Sequence, residues 1–188
     1  MIIVKGLQMT DNNENTKLIY GILQDIFKNV WEQQKYSEVK NGVLLTLHIA
    51  ILPILLKFPI ECYSLILKTI FYFLIILFIG HIFFIIQSFF PKDTNKEDVK
   101  WTNDNINIFF FGHIQKLNNY KYLNIVLSKY KISEKDINKD FLLDLTNQIV
   151  KLSEITQSKY AAFKDSIFRM YILTILFLIF YIYTIFFK

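Results

Sequence analysis

The stretch from Ser133 to Lys188, SEKDINKDFLLDLTNQIVKLSEITQSKYAAFKDSIFRMYILTILFLIFYIYTIFFK, decides the fold. It contains neither glycine nor proline, and apolar residues recur at helical spacing through its first half. Its last part, Met170 to Phe187, holds no charged residue. That run is long enough to cross a hydrocarbon core of about 30 Å at about 1.5 Å rise per residue. The stretch therefore predicts one long helix, amphipathic where it begins and membrane-spanning where it ends.

Local signals at the start of this stretch predict where the helix begins. Ser133 is a preferred N-cap residue, and Asp136 stands three residues later, where a capping-box acid belongs. Ile132 and Ile137 occupy the two positions of a hydrophobic staple. We therefore expect the helix to start directly after Ser133.

Two further segments are apolar enough to enter a membrane. Leu65 to Phe90 has 22 uncharged residues after Lys68, which predicts a transmembrane helix. Val43 to Phe58 is shorter and contains Pro53, so it predicts a kinked or short span, with a re-entrant hairpin as the alternative. With the C-terminal helix, the sequence predicts three spans.

The remaining segments predict a helical part outside the membrane. Residues 1–13 are expected to be a loose tail, and residues 91–107 a polar linker anchored by Trp101. Residues 105–112 are expected to pack in the core outside the membrane, with Gly112 allowing a turn or a close backbone approach. Tyr120 to Tyr130 predicts a short helix.

An amphipathic helix is predicted from Asn15 onward, because apolar residues repeat there at helical spacing opposite charged ones. It either packs against the polar part of the long helix or lies in the headgroup plane of the bilayer. The apolar stripe consists of Leu18, Ile19, Ile22, Leu23, Ile26, Phe27, Val30 and Trp31.

The distribution of charge predicts the orientation. With three spans, the N-terminal segment and residues 91–169 share one side, which holds 18 of the 21 lysines and arginines. The positive-inside rule places that side in the cytoplasm. We therefore divide the chain into a tail and cytoplasmic helix (1–42), a transmembrane hairpin (43–90), a cytoplasmic helical sensor region (91–166) and a last span (167–188).

Composition excludes several classes of function. The chain is 53% hydrophobic, too apolar for an ordinary soluble domain. Its net charge of +5 comes from lysines scattered among acids, which argues against nucleic-acid binding. Cys62 is the single cysteine, and there is no nucleophile elbow, Walker A loop, dinucleotide fingerprint or zinc motif. We expect no enzyme activity, no metal and no cofactor.

Two histidines lie inside predicted spans, where an ionisable group is a functional candidate. His48 and His81 are candidate pore-lining residues of an oligomer. The alternative is that each is a neutral side chain bonded to a carbonyl of a neighbouring span.

A ligand site, if the protein has one, is expected in the cytoplasmic part. The polar and aromatic groups there suit a small anion with a flat ring. As the alternative, the lysines are boundary residues whose ammonium groups extend toward water, and Gln148 is a helix-interface hydrogen bonder. The candidates are Glu38, Lys40, Asn105, Asn107, Tyr122, Gln148, Lys159 and Tyr160.

Three segments, in their order and spacing, resemble the Pycsar transmembrane effector family. They are Asp144–Tyr160 (DLTNQIVKLSEITQSKY) before the last span, Asn107–Ile114 (NIFFFGHI), and Glu38–Lys40 (EVK) before the first span. The resemblance implies an antiphage effector of the bacterial inner membrane. It also implies a partner cyclase that makes cyclic CMP or cyclic UMP, and a response that damages the membrane and causes abortive infection.

Together these observations predict an all-α integral membrane protein with three transmembrane helices and a cytoplasmic helical bundle. We expect a homo-oligomeric effector that binds a cyclic nucleotide, contacts the lipid bilayer and binds no nucleic acid. The alternative is a membrane-anchored scaffold that recruits a signalling partner without forming a pore.

Overall fold

The fold is all-α, as the sequence predicts. The computed structural model describes residues 14–90, 106–133, 137 and 139–186; of these, 86% are helical and none lies in a strand. Three helices, Glu14–Leu56, Leu65–Gln87 and Lys139–Phe186, are long and apolar enough to span a membrane, which confirms the three predicted spans by length and composition. The elements are α1 (Glu14–Leu56), a 3-10 helix (Ile60–Cys62), α2 (Leu65–Gln87), α3 (Phe111–Ile114), α4 (Asn119–Lys129) and α5 (Lys139–Phe186).

Some predictions fall outside the described residues. These are the loose tail over residues 1–13, the linker with its Trp101 anchor up to residue 105, and the capping-box role of Asp136.

Helix α1 joins two segments that the sequence analysis treated separately. The amphipathic helix and the first span form one helix of 43 residues. Pro53 lies within it, one turn before its last residue, Leu56. A proline there removes one backbone hydrogen bond close to an end where carbonyls are already free, so the helix continues through it.

Helix α5 is continuous over 48 residues, as predicted, but the predicted start is wrong. It begins at Lys139, and Ser133 lies outside it, so Ser133 is not its N-cap. Ile137 stands in a bend with its side chain buried in the apolar core. Burial of this side chain before the first turn outweighs the local signals at Ser133.

The contacts between residues divide the chain into two compact units. Unit 1 consists of the described residues within Met1–Gln34 and Thr94–Gln157. Unit 2 consists of the described residues within Lys35–Asp93 and Ser158–Lys188. Helices α1 and α5 contribute residues to both units.

Unit 1 has a dense aliphatic core. The buried residues of α1 repeat at intervals of three and four, so one face of that helix is buried. Leu18 and Trp31, at the margins of the predicted stripe, remain about half exposed at 52% and 43%. The core comprises Ile19, Leu23, Ile26, Val30, Ile106, Ile108, Ile114, Leu117, Tyr122, Leu123, Ile125, Val126, Leu127, Ile137, Leu142, Ile149, Val150 and Leu152.

The segment before α3 packs partly as predicted. Ile106 and Ile108 are buried, whereas Phe109 and Phe110 are each 45% exposed. Gly112 makes the close approach expected of it, because a Cβ there would lie 2.6 Å from the Phe110 ring. Helix α4 confirms the predicted short helix and is capped by Asn118, whose Oδ1 accepts from Lys121 N at 2.8 Å.

Unit 2 has a small aromatic core and an apolar exterior. Its cluster includes Phe71, Leu74 and Phe180, with Phe58 packed against it. Large apolar side chains on the outside of α2 are exposed, up to 80% at Leu65. Such an exterior is typical of helices whose solvent is lipid.

Candidate functional site

In unit 2, α1 and α5 place four of the eight predicted ligand residues close together. Lys159 of α5 is buried, and its ammonium forms an ion pair with the Glu38 carboxylate of α1. The Glu38 side chain is 44% exposed, so the pair has one buried and one partly hydrated member. Because a buried charge is costly without a partner, the Glu38 carboxylate offsets part of the cost of burying the Lys159 ammonium.

Lys40 lies among aromatic rings. Its Nζ is 4.4 Å from the ring centroid of Tyr36, 5.1 Å from that of Tyr160 and 5.6 Å from that of Phe163. All three distances are within cation–π range. Among the residues that the structure describes, no carboxylate forms an ion pair with Lys40.

This arrangement, which we call the Lys40 cage, consists of Lys40, Tyr36, Tyr160 and Phe163. Helical spacing builds it, since Tyr36 precedes Lys40 by four residues and Phe163 follows Tyr160 by three. Chemically it offers one cation, two phenol groups and three ring faces, which suit a small anion joined to a flat ring.

The remaining described candidates belong to unit 1. Tyr122 is fully buried, and its hydroxyl donates to Ile108 O at 3.0 Å. Burial raises the pKa of the Tyr122 phenol far above its ordinary value, so it stays a neutral donor within the core. Asn107 is exposed, and its Oδ1 accepts from Phe109 N at 2.9 Å. Gln148 is exposed on α5, and Asn105 lies outside the described residues.

The two intramembrane histidines lie next to each other in unit 2. Their ring centroids are 4.7 Å apart in an edge-on arrangement, and both side chains are buried. His48 Nδ1 donates to Leu44 O at 2.8 Å, a carbonyl of its own helix and not of a neighbouring span. The Arg169 charge and the Ser166 backbone are polar neighbours of the His81 ring. The Arg169 guanidinium also lies 3.9 Å from the centroid of the Phe84 ring.

Sequence reasoning missed several residues of these sites. Tyr36 and Phe163 have a signal in the sequence, namely helical spacing from Lys40 and Tyr160. No signal in the sequence distinguishes the buried polar residues Asn41 and Ser166 from ordinary residues at the membrane boundary. Among the described residues, no group of three metal-ligating side chains is present.

Comparison with known proteins identifies a family that the chain matches. The family described as Pycsar effector protein domain matches residues 22–187, most of the chain. No curated protein and no solved structure matches the chain.

Proposed function

The chain belongs to the Pycsar effector family, and from this premise we propose that it senses a cyclic pyrimidine nucleotide and then disrupts the inner membrane. Members of this family act in antiphage defence, in response to a cyclic nucleotide made by a partner cyclase. In the proposal, cyclic CMP or cyclic UMP binds this chain directly and the resulting membrane damage causes abortive infection.

The observation that carries direct sensing is the Lys40 cage. A cyclic mononucleotide has one negative charge on its phosphodiester and one flat base, and the cage supplies one ammonium group and several ring faces. The phosphodiester would accept from the Lys40 ammonium, and the pyrimidine would stack on Tyr36 or Tyr160.

The two lysines of this region have different proposed roles. The charge of Lys159 is already matched by Glu38, whereas the charge of Lys40 faces only rings among the described residues. Lys40 therefore binds the nucleotide, and the ion pair holds α1 and α5 together beside it.

The membrane part of the proposal follows from the three candidate spans. The N-terminus and residues 91–166 lie in the cytoplasm, where the cyclase product is made. Several protomers assemble, and the chain acts by damaging the membrane without catalysing a reaction. A scaffold of the same architecture would bind its partner and leave the membrane intact.

The test is thermal unfolding of the detergent-purified full-length protein with cyclic CMP, cyclic UMP or cyclic AMP. A ligand that binds only the folded state stabilises it by about 2.7 kcal/mol at a hundredfold excess over its dissociation constant. We expect one or both pyrimidine nucleotides to raise the unfolding temperature and cyclic AMP to leave it unchanged.

Variants at two lysines localise the binding. Lys40→Met keeps an apolar stem among the rings and removes the charge, so it should lose the nucleotide-induced shift. Lys164→Met, at an exposed lysine of α5, is the matched control and should keep the shift. Absence of a shift with all three nucleotides, or an unchanged shift in Lys40→Met, contradicts sensing at the cage.

A further inference from the structure

Unit 2 contains buried polar groups without partners. Asn41 is 1% exposed, Ser166 0% and His81 5%. Both amide atoms of Asn41 and the Ser166 hydroxyl oxygen are enclosed, with no hydrogen-bond partner among the described residues, and the buried His81 ring has the Ser166 backbone beside it as a polar neighbour from α5. Buried groups of this kind are rare in folded proteins, and bound water commonly satisfies them.

These groups come from three helices that could each cross a membrane. Asn41 and His48 lie seven residues apart on α1, hence on one face and about 10 Å apart along the axis. The His81 ring of α2 contacts the His48 ring edge-on, and the backbone of Ser166 in α5 is a polar neighbour of the His81 ring. The polar groups thus follow the interior of unit 2 from Asn41 to the histidine pair.

An apolar cavity of about 370 Å³ begins at His48 and opens to the outside of unit 2, where its lining residues Ile54 and Tyr181 are 70% and 54% exposed. His48 lines one part of it, and nearly all the other lining groups are apolar. Because the lining is apolar and the open side would face lipid in a membrane, water that reaches His48 would stop there. The apolar lining includes Leu173 and the rings of Phe71, Phe78, Phe177 and Phe180.

We propose that the polar groups and the apolar cavity form one path for water and small ions along unit 2 of each protomer, closed in the resting state. This rests on the membrane-disrupting function proposed above and assigns the route and its gate. The half from Asn41 to His81 holds water in the resting state. The half beyond His48 is dry and blocks ions, because a hydrophobic constriction conducts only when it wets.

Cysteine accessibility tests the two halves separately. Cys62 is exposed, so the experiment uses a Cys62→Ser background. The full-length protein in liposomes, without nucleotide, is treated with silver ions, and the remaining thiol is titrated after denaturation. Ser166→Cys should react and Leu173→Cys should not. Both thiols reacting alike, or a silent Ser166→Cys, would overturn the division into a wet and a dry half.

Polar substitution tests the gate. Leu173→Asn places an amide in the dry half, and Ile172→Asn, at a neighbouring exposed residue, carries the same insertion cost outside the cavity. Leu173→Asn should raise potassium leak from liposomes by about tenfold or more without nucleotide, because a polar lining favours wetting. Ile172→Asn should match the parent protein.

The outcomes separate this inference from nucleotide sensing. Leak through Leu173→Asn supports the path even if no nucleotide changes the thermal stability of the parent protein. Equal leak in the two asparagine variants, with both proteins inserted in the liposomes, overturns the path even if cyclic CMP or cyclic UMP binds.

Discussion

Unit 1 and unit 2 differ in their buried polar groups and in the side chains that they expose. In unit 1, the buried hydroxyls of Ser153 and Thr156 donate to carbonyls one turn earlier on their own helix, at 2.7 and 2.8 Å. In unit 2, Asn41 and Ser166 are as deeply buried but have no partner among the described residues. The hydroxyl of Thr184 in unit 2 is satisfied in the same way as those of unit 1, at 2.7 Å from a carbonyl oxygen of its own helix, so the difference lies in Asn41 and Ser166 and in the large apolar side chains that unit 2 exposes.

The difference indicates that unit 1 is surrounded by water and unit 2 by lipid. In water, burying apolar surface contributes about 25 cal/mol per Å², so the aliphatic residues of unit 1 are inside. In lipid this driving force between helices is absent, and polar groups turn inward, away from hydrocarbon. The exposed Leu65 and Ile66 of unit 2, at 80% and 73%, are then ordinary lipid contacts.

The largest expected effect comes from one substitution made in both units. Leu123 of α4 is fully buried in unit 1, and Leu178 of α5 is 54% exposed in unit 2. Leu123→Ala should lower the free energy of unfolding by about 3 kcal/mol, because it leaves a cavity in a packed core. Leu178→Ala should lower it by less than about 1 kcal/mol, because lipid fills the space.

Both variants are measured by urea denaturation in lipid nanodiscs, followed by tryptophan fluorescence. If the two substitutions cost the same, the proposed difference in solvent between the units is wrong.

The outline of the fold was predictable because its signals are local and repeated. Helical spacing and charge-free runs located three spans and helix α4 without knowledge of their contacts. The continuity of α1 was not predictable in this way, since Pro53 favours a break and only its position near the helix end makes it harmless. The start of α5 depends on burial of Ile137, a tertiary contact that outweighs the capping signals at Ser133.

The candidate site was predictable only in part. Glu38, Lys40, Lys159 and Tyr160 lie close together in unit 2, and these residues also carry the family resemblance. Tyr122 shows why sequence alone does not separate a ligand-binding residue from a core residue. A tyrosine ring with its hydroxyl group is equally compatible with a ligand site and with a packed core. Its burial and its bond to the Ile108 carbonyl assign it to the core.

Ion pairs offer a finer comparison of the two units. In unit 2, Glu38 of α1 and Lys159 of α5 pair across two helices, with side chains 44% and 8% exposed; in unit 1, Lys151 and Glu154 pair at 3.5 Å within α5, with side chains 59% and 7% exposed. A double-mutant cycle with Glu38→Gln and Lys159→Met should give a coupling energy of about 1 to 2 kcal/mol, less than for a fully buried pair because Glu38 is partly hydrated.

The cycle with Lys151→Met and Glu154→Gln is the matched control and should give less than about 0.5 kcal/mol, because a pair three residues apart on one helix contributes little. Raising the salt concentration should reduce the unit 1 value somewhat more, since Lys151 is more exposed than Glu38 and exposed charges are screened first. Equal coupling energies would mean that Lys159 is hydrated in the membrane-bound protein and that the ion pair does little to hold α1 and α5 together.

The smallest expected effect concerns helix starts. Asn118 caps α4 in unit 1 through its bond to Lys121 N, whereas Ser64 precedes α2 in unit 2 without a side-chain capping bond. Asn118→Ala should lower the free energy of unfolding by about 1 kcal/mol, because a free N–H at the helix start loses its acceptor. Ser64→Ala removes no such bond and should change it by no more than about 0.3 kcal/mol. Thermal unfolding of both variants in the same lipid measures the two changes in the free energy of unfolding. A loss at Ser64 as large as at Asn118 would show that α2 also depends on a polar cap at the membrane surface, and would narrow the contrast between the units to their interiors.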